Sequence, residues 1–210
     1  MILAVAAALL AAAIWMAWTW WGSTLLAANR GRDAASSAQQ AWSASPSAPA
    51  NSRAAGVSGP ADGQLIAVIR IPKLGADWRW PVYASTDDPT NALDHGLAWY
   101  RGSALPGQIG NFAVAGRSAT GANAFRNADR LAKGDEVIVE TPSAVCTYRI
   151  DVPFSGLTVR SSDAWVLDPV PGHPDAAAQQ PLITLTTSRD AAPTDARSVA
   201  LGHLVRTASR

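Results

Sequence analysis

The chain has 210 residues, a formal net charge of +1 and 16% charged residues, which leaves room for one domain of roughly 140–150 residues beside a tail and a linker. Neither the charge balance nor any basic, aromatic-interleaved run points to a nucleic-acid partner. The single cysteine, Cys146, excludes an internal disulfide and a cysteine-built metal cage, and no spacing of His, Asp or Glu suggests a metal or cofactor site.

Residues 1–28 carry no charged side chain and are mostly Ala, Leu, Ile, Val and Trp. A secretory apolar core runs about 7–15 residues and a spanning helix about 20, so the stretch predicts a transmembrane anchor, with a cleaved signal peptide as the rival. Trp15, Trp18, Trp20 and Trp21 fit an interfacial aromatic belt. Residues 29–62 are Ala, Ser, Pro, Gln and Gly with few large apolar side chains, which predicts a flexible linker.

The folded part is expected over residues 63–206, with 207–210 as a tail. Gln64 to Ile71 and Arg79 to Tyr83 read as strands, and a short helix starts near Thr86. Residues 102–110 are turn chemistry, 111–115 a strand and 125–131 a short helix. Residues 135–140 and 146–152 form a hairpin-like pair, with Cys146 as a half-buried strand residue. The strands at 181–187 and 198–205 complete an all-β pattern with brief helices.

The run Thr184-Leu185-Thr186-Thr187-Ser188 resembles the nucleophile segment of sortases, Thr-Leu-x-Thr-Cys, with serine at the cysteine position. Five further blocks resemble class E sortases in the same order: Ile69 to Gly75, Tyr100 to Gly107, Gly110 to Gly116, Lys133 to Val139 and Trp165 to Pro169. The resemblance implies an eight-stranded sortase-type β-barrel behind one transmembrane helix, with the site at one mouth. It implies a cell-membrane protein with its domain on the outer face. The positive-inside rule points the other way, because Arg30 and Arg32 follow the span and no basic residue precedes it; an upstream start carrying basic residues would reconcile the two.

The family reaction is a transpeptidation. A thiolate attacks a sorting signal (Leu-Ala-x-Thr-Gly is usual for class E) between Thr and Gly, an imidazole protonates the leaving amine, and an arginine serves the substrate or oxyanion. The resemblance places these roles at Ser188, Arg117 and Arg197. Only the arginine is kept. Thr187 and Arg189 flank the serine as binding residues, and the family's second histidine is Trp99 here.

A serine hydroxyl is a poor nucleophile without a base, and a guanidinium stays protonated. The expectation is therefore a catalytically inactive, membrane-anchored sortase-fold protein without a cofactor. It would bind a sorting-signal peptide, a cell-wall component or an active partner sortase. The alternative is an active transpeptidase or peptidase with Ser188 as nucleophile and Arg197 at the oxyanion. Asp190 and the three histidines (His95, His173, His203) occupy no family catalytic position. Arg117, Arg189 and Arg197 either converge on Ser188 as an anion site or turn to solvent and to Asp190 and Asp129.

Overall fold

In the computed structural model of the protein, the structure describes residues 15, 29–44, 59–84, 89–119, 122–190 and 192–210. The expected span over residues 1–28 lies outside them except for residue 15. No helix among the described residues is long and apolar enough to cross a membrane.

The described residues form nine strands: β1 (Gln64–Arg70), β2 (Arg79–Ala84), β3 (Leu97–Trp99), β4 (Gly110–Ala115), β5 (Glu136–Glu140), β6 (Ala144–Val152), β7 (Thr158–Arg160), β8 (Pro181–Ser188) and β9 (Ala196–Ser209). They are ordered β6-β5-β1-β2-β3-β4-β8-β9-β7, and β6 also pairs with β9. That extra pairing closes eight strands into a ring and leaves β7 as an outer strand on β9. The eight-stranded barrel is as expected. Closure removes the free edges that an open sheet presents. Strands β2 and β3, and β4 and β8, run parallel.

Alternation along the strands sorts the two faces. Phe112 and Val114 of β4 and Ile183 and Leu185 of β8 are buried in the central core with Ile69, Val82, Val137, Val139, Cys146, Tyr148 and Ile150. Asn111 and Thr184 point to the other face, and there they join. Asn111 Nδ2 donates to the carbonyls of Val166 and Asp168, both at 3.0 Å, and its Oδ1 accepts from the Thr184 hydroxyl at 2.8 Å. These bonds pin the 3-10 turn at Ala164–Leu167 over β4 and β8. A second small core of Val159, Val166 and Val199 fills beneath it.

Residues 29–44, expected as part of the flexible linker, are helical (α1). Gly31, Ala35, Ala38 and Trp42 recur at helical spacing and face the barrel; Ala35 is fully buried, and Ala38 and Trp42 pack with Val68 and Leu65. This explains why Ala67, Val68 and Ile69 are all buried in one strand: one face meets the core and the other meets α1. The expected tail also differs. β9 runs to Ser209, and Arg210 pairs with Glu140 and lies 5.8 Å from the Trp42 ring.

Two further differences are small. Instead of a helix over 125–131 there is a 3-10 turn at Ala128–Arg130, and α2 (Pro89–His95) is seven residues long. Residues 86–88, where that helix was expected to start, lie outside the described residues.

Tyr148 supplies a pH test of the core. Burial pushes its phenol well above the ordinary value of about 10, against the opposing effect of the Gly107 N–H that donates to it at 2.7 Å. A folded-state value raised above the unfolded one stabilises the fold fully below about pH 10 and loses that contribution as pH rises further. Alkaline titration followed by phenolate absorbance and near-ultraviolet dichroism is therefore expected to show Tyr148 ionising only with unfolding. The Tyr148→Phe variant should lose one chromophore from that late phase. A Tyr148 phenolate formed with the dichroism intact would contradict the assignment.

Candidate functional site

The parallel ends of β4 and β8 and the start of β9 meet at one end of the barrel. Ala115 lies opposite Thr186, and Ser188 lies opposite Arg197. The chain leaving β4 stays close to β8: the Gly116 N–H donates to the Thr186 carbonyl at 3.0 Å, and the Ser118 hydroxyl donates to the Ser188 carbonyl at 3.0 Å. A Cβ at Gly116 would overlap the Phe125 ring, so only glycine permits this approach. Phe125 anchors the following segment in the core, and its N–H donates to the Arg117 carbonyl at 2.9 Å.

β8 therefore delivers its last residues to the barrel mouth in a fixed register. Thr187 shares the inward face with Ile183 and Leu185 by strand alternation. It is 5% exposed, and its hydroxyl has no hydrogen-bond partner among the described residues. Ser188 is exposed. Among the described residues no side chain hydrogen-bonds its hydroxyl.

The three arginines part company. The Arg117 guanidinium pairs with Asp94 of α2 at 3.3 Å, not with Asp129. The Arg197 Nη1 donates to the carbonyls of Thr194 at 2.8 Å and Ala196 at 3.0 Å, which turns it into the β8–β9 loop. Arg189 is exposed, and its backbone N–H donates to the Ala196 carbonyl at 3.1 Å. Asp190 accepts from the Thr194 hydroxyl at 2.9 Å, which binds the same loop to itself. The structure thus brings Ser188, Arg117 and Arg197 to one mouth without closing the guanidiniums around the serine.

Other residues weighed from sequence sit elsewhere. His203 pairs with Asp151 at 2.7 Å on the β6–β9 seam, and His95 and His173 are exposed. Trp99 is 5% exposed, with its Nε1 donating to the Ala104 carbonyl. Cys146 is fully buried, not half-buried, and burial pushes its thiol up, away from the thiolate a nucleophile needs. No group of three or more metal-ligating side chains occurs among the described residues.

Asp94, Ser118 and the Tyr100 hydroxyl, which shares a 2.9 Å hydrogen bond with Thr186, were not singled out from sequence. The spacing of Tyr100 ahead of the turn at 102–110 is the one signal that could have marked it. An aspartate in a short helix carries none.

The family model described as the sortase domain matches residues 69–205. The chain belongs to the sortase family. Its relatives make it class E-like. It is 30% identical over 193 residues, 89% of this chain and 51% of the relative, to sortase SrtE1 of Streptomyces coelicolor. The chain thus spans about half the length of that relative. Sortase E from Streptomyces avermitilis superposes with a TM-score of 0.63 at 34% identity, over 71% of this chain and 93% of that one. Sortase E1 from Streptomyces coelicolor, solved with a tripeptide in its active site, matches at 27% identity and a TM-score of 0.59, over 70% and 90%. Within this sortase domain the mouth at Ser188 is the candidate site.

Proposed function

We propose that this protein is a membrane-anchored sortase-fold binding protein that does not catalyse transpeptidation. It holds a sorting-signal peptide, a cell-wall component or an active sortase at the mouth marked by Ser188. The observation that carries the reading is the pairing of Arg117 with Asp94 while the Ser188 hydroxyl has no partner among the described residues. A cation replaces the acid/base, and among the described residues no base is bonded to the weak nucleophile. The uncharged stretch at residues 1–28 supports the anchor, and the family reaction supports a domain on the outer face.

The test is a single incubation of the protein with a Leu-Ala-x-Thr-Gly peptide and an amine acceptor, following cleavage and binding together. Binding without cleavage is the expected result. Turnover that disappears in Ser188→Ala would instead establish the serine as a working nucleophile and remove the binding-only reading.

A further inference from the structure

Helix α1 has a direction relative to the barrel, and strand polarity fixes it. β1 runs antiparallel to β2, β2 parallel to β3, β3 antiparallel to β4 and β4 parallel to β8. β1 and β8 therefore point the same way, so the end of β1 and the start of β2 lie at the mouth where Ser188 emerges. The first turn of α1 touches that end. A Cβ at Gly31 would press on the His95 carbonyl oxygen and stand 2.6 Å from the Trp80 ring. Next to it, Arg32 lines one cavity with Leu74, Trp78 and Arg126. The last turn lies at the far end. Trp42 joins Leu65 and Val68 of β1 in one apolar cluster, and its ring centroid is 5.8 Å from the Arg210 guanidinium. Arg210 follows β9, which runs opposite to β8. From Gly31 to Trp42 a helix rises about 16 Å, and from Leu65 to Arg70 a strand covers about 17 Å. The helix thus spans β1 from the mouth to the opposite end.

The uncharged stretch over residues 1–28 stops three positions before Gly31. Three residues bridge about 10 Å at full extension. A flexible linker over residues 29–62, as composition suggested, would instead let the domain wander by about 30 Å. We infer that docked α1 turns the mouth of the barrel toward the lipid bilayer, so that the ligand at Ser188 is one displayed on that membrane. The inference rests on the anchor proposed for residues 1–28 and adds an orientation to it. A peptide or headgroup borne by the same bilayer is within reach of the mouth, and a polymer further out is not. Chain connectivity and apolar packing set this orientation. Charge does not, because the exposed Lys73 and Arg126 at this end are accompanied by the exposed Asp77. It therefore holds on zwitterionic and anionic lipid alike.

The experiment places the full chain in phosphatidylcholine nanodiscs that carry an acceptor dye on a lipid headgroup. A donor dye is attached to Arg126→Cys at the mouth end or to Ser143→Cys in the turn at the far end. Both positions are exposed, whereas Cys146 is buried and takes no label. With strand tilt the two dyes differ in height by about 20 Å, so transfer from Arg126→Cys should exceed transfer from Ser143→Cys by about twofold or more. Discs containing phosphatidylglycerol should give the same ratio. Ala35→Glu puts a charge into the buried seam between α1 and β1 and should bring the ratio near unity. Trp42→Ala, which removes the far-end contact without adding a charge, should lower it as well, with circular dichroism confirming the barrel in each variant. Equal transfer from the two ends, or a ratio that survives both α1 substitutions in a folded barrel, overturns the inference and leaves the anchor standing. So does a ratio seen only on anionic lipid. A chain that does not stay with the discs removes the anchor and the inference together.

Discussion

A thiol at position 188 together with an imidazole at position 117 is expected to return measurable cleavage of a Leu-Ala-x-Thr-Gly peptide, and neither change alone is. The scaffold around both positions is in place: the register of β8 against β9 sets Ser188 opposite Arg197, and Gly116 and Ser118 fasten the end of β4 beside it. What departs from the family pattern is the chemistry of the side chains at positions 117 and 188. Ser188→Cys supplies a nucleophile that is partly ionised near neutral pH, and Arg117→His supplies a group that can both take and give a proton. Residues that act as a unit lose and regain rate together, so the double variant should exceed either single one by about a hundredfold or more. Asp94 is also well placed, because a carboxylate that now pairs with a guanidinium would favour the imidazolium form. Peptide cleavage followed chromatographically decides it. A folded double variant that binds peptide and cleaves none would mean that the groove has changed shape beyond its two replaced side chains.

Asn111→Ala is expected to be among the most destabilising single changes to the domain. One amide satisfies two carbonyls and accepts a hydroxyl in a fully buried setting, and Thr184 shares its proton between Asn111 and the Val166 carbonyl at 3.1 Å. Alanine would remove a donor from the buried Val166 carbonyl and from the partly buried Asp168 carbonyl, and an acceptor from the Thr184 hydroxyl, at a cost of about 3 kcal/mol. For a chain of this size that lowers the midpoint of thermal unfolding by about 6–12 °C. The 3-10 turn at Ala164–Leu167 should lose its protection first, since Asn111 and Thr184 hold it to the barrel. A loss under about 1 kcal/mol by denaturant titration would show that the turn is held by its small apolar core alone.

The long strands were legible because one face of each meets a core: Gln64 to Arg70, Glu136 to Glu140 and Pro181 to Ser188 all carry apolar side chains at the required spacing. β3 and β7 escaped notice because three residues are too few to show a period. α1 was missed for a different reason. Its buried stripe is Gly31, Ala35, Ala38 and Trp42, and small side chains that pack by close approach look like linker composition. The same composition is favourable for a helix, which was the available clue. At the site, Ser188, Arg117 and Arg197 were placed by resemblance, and the register of β4, β8 and β9 brings them to one mouth. Asp94 was illegible because nothing local ties it to a residue on another element.

β9 has a further consequence. Its fourteen residues make three separate seams, with β6, β7 and β8. During synthesis β1 to β6 can pair among themselves as soon as they emerge, but the ring stays open until β9 follows. A ribosome that stalls before residue 196 would therefore present a half-built sheet with the rims of β6 and β8 bare, the state most prone to pairing with another nascent chain. The slow step of folding is expected to fall on these long-range pairings, and β9, made after the other eight strands, is the one that closes the ring.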